Sequence, residues 1–210
     1  MAYKHIHIIS FDIPYPPNYG GVIDVFHKIR LLHENGIHIT LHCFQYRGKN
    51  KSIELETLCD KVYYYKRKTG IKSNFSILPY IVYSRQNKDL IHNLLVDNDP
   101  IVFEGKHSCF YINDPRLKDR QKIYRACNIE HEYYKGLCKA EKNIIKKIYF
   151  YTEALKLKHF RKYLSHADVM LGISETDTTE LKKLYPNKKI LYVPVFHAND
   201  EFDIKGKNDG

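Results

Sequence analysis

The chain has 210 residues, 43% of them hydrophobic, with 10 Gly, 8 Pro and a formal net charge of +10. That length and apolar content suit one large domain or two small ones, and the sparse Gly and Pro exclude a collagen-like or low-complexity chain. The positive balance points to an anionic partner such as nucleic acid, phospholipid or a phosphorylated substrate, or to a lysine-rich solvated surface.

KHIHIISF (4–11) alternates and then runs apolar, which predicts a buried strand. A helix follows over 21–35, where Val22, Val25, Phe26, Ile29 and Leu32 recur at helical spacing and Gly36 supplies the stop. IHITLHCF (37–44) reads as a second strand, 51–60 as a short helix and KVYYYK (61–66) as a third strand. Residues 74–96 read as two helical pieces broken near Ser84. PIVFEG (100–105) and QKIYRACN (121–128) are strands, and 129–164 is mainly helical. ADVMLGIS (167–174) is a strand, 175–186 a helix and KKILYVPV (188–195) the last strand. Ser174 stands three residues before Asp177, a capping-box spacing that assigns both to structure.

Strands alternate with helices almost throughout, which predicts an α/β, Rossmann-like three-layer sandwich. Its mainly parallel sheet should have about seven strands. The domain is expected over 1–197, and the polar, unpatterned stretch 198–210 reads as the start of an interdomain linker.

No stretch approaches the roughly 20 apolar residues of a membrane span. The opening MAYKHIHIIS lacks the apolar length and cleavage site of a secretory signal. Cysteines 43, 59, 109, 127 and 138 are scattered, odd in number and without CxxC spacing. They read as reduced thiols in a cytoplasmic protein, and no metal site is expected. Zinc-finger spacing, RRM-like aromatics and an Arg-rich arm are all lacking, so no nucleic-acid partner is expected.

The first strand is followed by a Pro-containing loop, PYPPNYGG, that ends in Gly20 and Gly21 at the start of the first helix. In an open parallel sheet this loop lies at the ligand-binding edge, beyond the carboxyl ends of the strands. Free amides and the dipole at a helix N-terminus favour an anion, and glycine lets a ligand approach the backbone. A crowded turn after Pro16 and Pro17 accounts for the glycines equally well. The pattern is neither GxGxxG nor a Walker loop.

Three stretches taken together carry a resemblance. PYPPNYGG with LLHENGIHITLHCF is similar to the N-terminal half of a GT-B glycosyltransferase, with glycosyltransferase family 4 the nearest group. IYRACNIEHEYYKGL (123–137) resembles that family's R-x-H-N-x-E-x-x-Y-Y segment, and YLSHADVMLGISETDTTELKKLYPNKKILYVPVF resembles the run that closes its N-terminal domain. The resemblance implies an acceptor-side domain whose donor-binding C-terminal domain is absent from this chain. It implies a retaining, metal-independent transfer from a nucleotide-sugar to a carbohydrate or lipid-linked acceptor, in surface polysaccharide or glycoconjugate synthesis. The domain would bind no cofactor and be inactive alone. Gly20 and Gly21 would then face the donor diphosphate or the acceptor sugar, with Asn18 and Tyr19 beside them, although turn chemistry explains those two as well. Glu104 and Gly105 would end the fourth strand on the same edge, where the Glu104 carboxylate would accept a sugar hydroxyl, with a helix-capping role before KHSCF the alternative. Asn128, Glu130 and His131 would follow the fifth, with His131 the catalytic candidate. The family's usual His before the Asn is here Cys127, and a neutral thiol cannot replace imidazole as an acid or base at pH 7. For His131 a surface or capping role stands as an alternative.

Residues 139–164 read as one long helix, with Ile144, Ile148, Tyr151 and Leu155 on one face and lysines nearby. Packing of that face on the core is the plainer reading, and peripheral contact with an anionic membrane the other. Two rival functions remain open: a non-enzymatic basic module for nucleic acid or anionic lipid, and another nucleotide-binding Rossmann enzyme. The missing GxGxxG counts against the second.

Overall fold

The computed structural model describes residues 4–45, 48–127 and 130–198. The elements run β1 (His5–Ser10), α1 (Gly20–Glu34), β2 (His38–Gln45), α2 (Ile53–Leu58), β3 (Lys61–Lys66), α3 (Tyr80–Tyr83), α4 (Lys88–Leu94) and β4 (Ile101–Glu104). They continue with β5 (Lys122–Ala126), α5 (Glu130–Ala140), α6 (Ile144–Leu164), β6 (Val169–Gly172), α7 (Glu175–Leu184) and β7 (Lys189–Tyr192). Short 3-10 turns lie at Ile71–Phe75, Lys106–Tyr111 and Pro115–Leu117.

All seven strands form one sheet in the order β3-β2-β1-β4-β5-β6-β7, and every pairing is parallel. The chain builds outward from β1 to β3, returns beside β1 with β4, and builds outward the other way. Strand order therefore reverses between β1 and β4, the switch point at which such sheets open a crevice.

Because consecutive strand residues face opposite sides, Ile8 and Ile9 enter two different cores. Ile8 packs with Val25, Phe26 and Ile29 of α1 and Leu55 of α2. Ile9 packs with Ile91 and Leu94 of α4, Leu157 and Phe160 of α6 and Leu181 of α7. Helices on both faces are what bury an all-parallel sheet.

Local signals act as the sequence predicts at several ends. Gly36 takes φ 71° and stops α1. Ser174 Oγ accepts the Asp177 amide at 3.0 Å and caps α7. The single helix expected over 139–164 is corrected: α5 ends at Ala140 and α6 starts at Ile144. Asn143 Oδ1 accepts the amides of Ile145 and Lys146, so the chain restarts a helix there with an N-cap. The core-facing expectation for the α6 stripe is also corrected. Ile144, Ile148, Tyr151 and Leu155 are 66%, 58%, 56% and 50% exposed, while Glu153, Ala154, Leu157, Phe160 and Leu164 are buried. No helix among the described residues is long and apolar enough to cross a membrane.

Candidate functional site

The loops after β1 and β4 meet at the carboxyl edge of the sheet, and Cys127 follows β5 beside them. The loop after β1 is fixed from within. Asp12 is buried and accepts the Tyr19 hydroxyl at 2.6 Å and the Ile13 amide at 2.8 Å. Lys49 Nζ is 3.2 Å from the same carboxylate and lies over the Tyr19 ring. Arg85 ties the loop's origin down by donating from Nε and Nη2 to the Phe11 carbonyl. Tyr19 is thus anchored through its hydroxyl while its ring and the neighbouring Asn18 remain exposed.

The two glycines separate into different roles. A Cβ on Gly21 would stand 2.6 Å from Phe11 Cζ, so any side chain there would have to displace the Phe11 ring. Gly20 is exposed, and a Cβ there would meet nothing within 4 Å. Open space at Gly20 faces the start of α1, whose first turn holds no acidic residue and whose N-cap residue, Tyr19, makes no side-chain cap. Such an end suits an anion.

Gly105 has φ 64° and ψ 171°, a region open essentially to glycine alone. A Cβ there would lie 3.4 Å from His107 Nδ1 and 3.5 Å from Cys127 Sγ, which places these three residues together. His107 Nδ1 is buried without a hydrogen-bond partner among the described residues. Burial first, then the charges of Arg85, Arg67 and Lys106, hold this imidazole well below its ordinary pKa, so it is neutral. The sequence reading passed over His107, whose only signal was its place two residues past a glycine at a strand end.

Glu104 is placed inside the protein. It is fully buried, and its Oε1 is 2.7 Å from Lys28 Nζ, so its carboxylate faces the interior. Lys28 Nζ is also 3.5 Å from Asp24 on the same helix. Asp24 accepts Arg125 Nε and Nη2, both at 2.8 Å, and the Phe196 amide at 2.8 Å. Arg125 is fully buried and donates further to the carbonyls of Val193 and Pro194. The Phe196 ring lies 5.3 Å from its guanidinium. Two carboxylates and two cations thereby join α1, β4 and β5 to the segment leaving β7. Burial pushes the Asp24 carboxyl up, but the Arg125 hydrogen bonds and the charge of Lys28 outweigh it and hold the group below its ordinary value. Sequence reasoning missed this clamp, although Arg125 stood in a quoted motif and Asp24 sat among the apolar residues of α1.

Asn128 lies outside the described residues. Glu130 and His131 open α5, and their side chains lie outside the description too.

No family model matches the chain. It is 28% identical over 211 residues to an uncharacterised 44.6 kDa protein in the cps region of Klebsiella pneumoniae, covering 96% of this chain and 53% of that protein. Phytolacca americana UGT2, solved with UDP-2fluoro-glucose and pterostilbene, superposes with a TM-score of 0.51 at 9% identity, over 94% of this chain and 55% of that one. Medicago truncatula UGT71G1, solved with UDP-glucose, superposes at 0.53 and 11% identity, over 96% and 55%. The chain spans about half the length of each of these proteins. The likeness to the solved structures is one of fold. It supports the GT-B architecture expected from the sequence without singling out family 4. The chain is a Rossmann-like α/β domain with a seven-stranded, all-parallel sheet, similar in fold to half of a GT-B glycosyltransferase.

Proposed function

We propose that this chain is the acceptor-side half of a glycosyltransferase acting in surface polysaccharide or glycoconjugate synthesis, of the family 4 type that its motifs resemble. The observation that carries this reading is the β1/β4 switch point, flanked by an uncapped helix start at the open Gly20. A donor-side domain of the same polypeptide would supply most nucleotide-sugar contacts. The relative from a cps region supports the polysaccharide context.

In this reading Gly20 and the first amides of α1 stabilise negative charge developing on the leaving diphosphate, as fixed dipoles that need no reorganisation. Tyr19 and Asn18 offer an exposed face to the sugar. Gly105 and Cys127, which lie together beyond β4 and β5, contribute to the same edge, and substrate contacts are assigned to Asn128 and Glu130 from the family resemblance alone. His131 contacts the transferred sugar, and the transfer retains configuration without a metal. The exposed apolar stripe of α6, with Lys146, Lys147 and Lys158 beside it, docks the domain on an anionic membrane that carries a lipid-linked acceptor.

The test is nucleoside diphosphate release by the complete polypeptide from a panel of nucleotide-sugars, with and without membrane lipids. Turnover of one donor, lowered about 100-fold or more by His131→Ala, is the expected result. Failure to turn over any donor would refute the transferase reading. Salt-sensitive binding to any polyanion, without turnover, would favour the basic-module alternative.

A further inference from the structure

At the opposite, amino edge of the sheet, a second cluster plays no part in the proposed transfer. His5 and His7 lie two residues apart on β1 and so on one face of the strand. Asp97 and Asp99 come from the turn between α4 and β4. One ligand atom from each of the four lies within 4.8 Å of all the others. We propose that these residues form a structural site for a divalent transition-metal ion, zinc in the first instance.

Two imidazole nitrogens and two carboxylate oxygens are a suitable tetrahedral set for zinc, whereas magnesium and calcium favour all-oxygen shells. Zinc bonds of about 2.0–2.2 Å require donors roughly 3.3–3.6 Å apart, reached here by modest movement. The donors lie within hydrogen-bond distance of one another: His5 Nδ1 and Asp99 Oδ2 at 2.8 Å, and His7 Nε2 and Asp97 Oδ2 at 2.9 Å. A metal would take the place of both hydrogen bonds, each neutral imidazole keeping its one proton on its other ring nitrogen, toward Thr40 Oγ1 from His5 and toward His42 Nε2 from His7.

The surroundings already provide the outer contacts of a metal site. Ligating imidazoles are oriented by a partner on the other ring nitrogen. His5 Nε2 is 3.0 Å from Thr40 Oγ1, and His7 Nδ1 is 2.9 Å from His42 Nε2. His42 Nδ1 in turn meets the Tyr65 hydroxyl at 2.9 Å. Asp97 Oδ1, which also lies 3.1 Å from His7 Nε2, accepts the Asp99 amide and Arg120 Nη2, both at 3.0 Å. Arg120 also donates to the carbonyls of Leu94 and Asp99, so the turn is held before any ion arrives. Two carboxylates against one guanidinium leave the cluster one net negative charge. Cysteine spacing gave no hint of this site, because its ligands are His and Asp from segments some 90 residues apart.

The test uses the 210-residue chain, stripped with a chelator and titrated with Zn2+ by calorimetry and with Co2+ by visible absorption. One ion per chain is expected, with the visible bands of tetrahedral cobalt and no thiolate charge-transfer band. Asp99→Asn and His5→Gln alter half-buried positions, so both variants should fold, as circular dichroism checks. Each should weaken binding at least about tenfold, and Thr40→Val, which alters only an outer contact, by about tenfold. Zn2+ should raise the melting temperature of the parent chain and not of the double variant His5→Gln/Asp99→Asn. Lack of saturable binding to the parent chain would overturn the proposal. So would binding that both single variants leave unchanged, since it would assign the ion to other groups such as the cysteine thiols.

Discussion

Removing one partner of the Asp24–Arg125 clamp should destabilise the domain strongly and asymmetrically. Breaking a buried ion pair from one side costs about 3–5 kcal/mol, because the remaining charge has no solvent. That is a large share of the roughly 5–15 kcal/mol holding a typical domain together. Arg125→Met leaves the Asp24 carboxylate with Lys28 still 3.5 Å away, so its cost should fall near about 3 kcal/mol. Asp24→Leu leaves a fully buried guanidinium with the carbonyls of Val193 and Pro194, and its cost should approach about 5 kcal/mol. The double variant should cost less than either single change, since no buried charge of that pair is left. It should also free the 193–198 segment, visible as faster amide exchange at Phe196, whose N–H donates to Asp24. Urea unfolding of the four proteins gives the cycle. Single costs below about 1 kcal/mol, or a double cost equal to the sum of the singles, would refute the reasoning. The pH dependence has a definite sign. The native Asp24 carboxyl titrates below its unfolded value. Its contribution is therefore complete above about pH 3.9 and fades as pH falls toward the native pKa.

His107, half-buried with its Nδ1 enclosed, should give an acid-side slope. Its native pKa lies well below the ordinary value, so the unfolded chain takes up the proton first and stability falls as pH drops below about 6.5. His107→Phe should flatten urea-derived stability against pH by up to about 1.4 kcal/mol per unit, and an unchanged slope would contradict the burial described. The glycines should differ under substitution by alanine, read as changes in melting temperature and urea midpoint. Gly105→Ala should cost about 1–3 kcal/mol through its left-handed φ. Gly21→Ala should cost a similar amount by forcing the Phe11 ring aside. Gly20→Ala should be neutral or stabilising, because its surroundings are open and alanine favours the helix.

The sheet and its helices were legible because burial on both sides writes itself locally. A run such as KHIHIISF announces a strand, and Ser174 and Gly36 mark helix ends through contacts within a few residues. Asn143 carried the same kind of signal, but the apolar spacing continuing past it masked the break. The exposed α6 stripe shows that periodicity finds a face without saying which neighbour covers it. At the site, the edge and its loops followed from chain order alone. The Asp24–Arg125 pairing spans 101 residues, and nothing local in either segment reveals its partner. Gly20 and Gly21 look alike in sequence and are told apart only by the Phe11 ring.

The central claim is that the β1/β4 switch point takes the substrate, and a bulky residue at its open glycine tests it most directly. Gly20→Trp places a large side chain where, apart from its chain neighbours and its own helix backbone, no atom lies within 4 Å of the Cβ position. In the complete polypeptide, sugar transfer by this variant should fall by about 100-fold or more, with the melting temperature unchanged. Transfer at the parent rate by the folded variant would contradict the placement of the site.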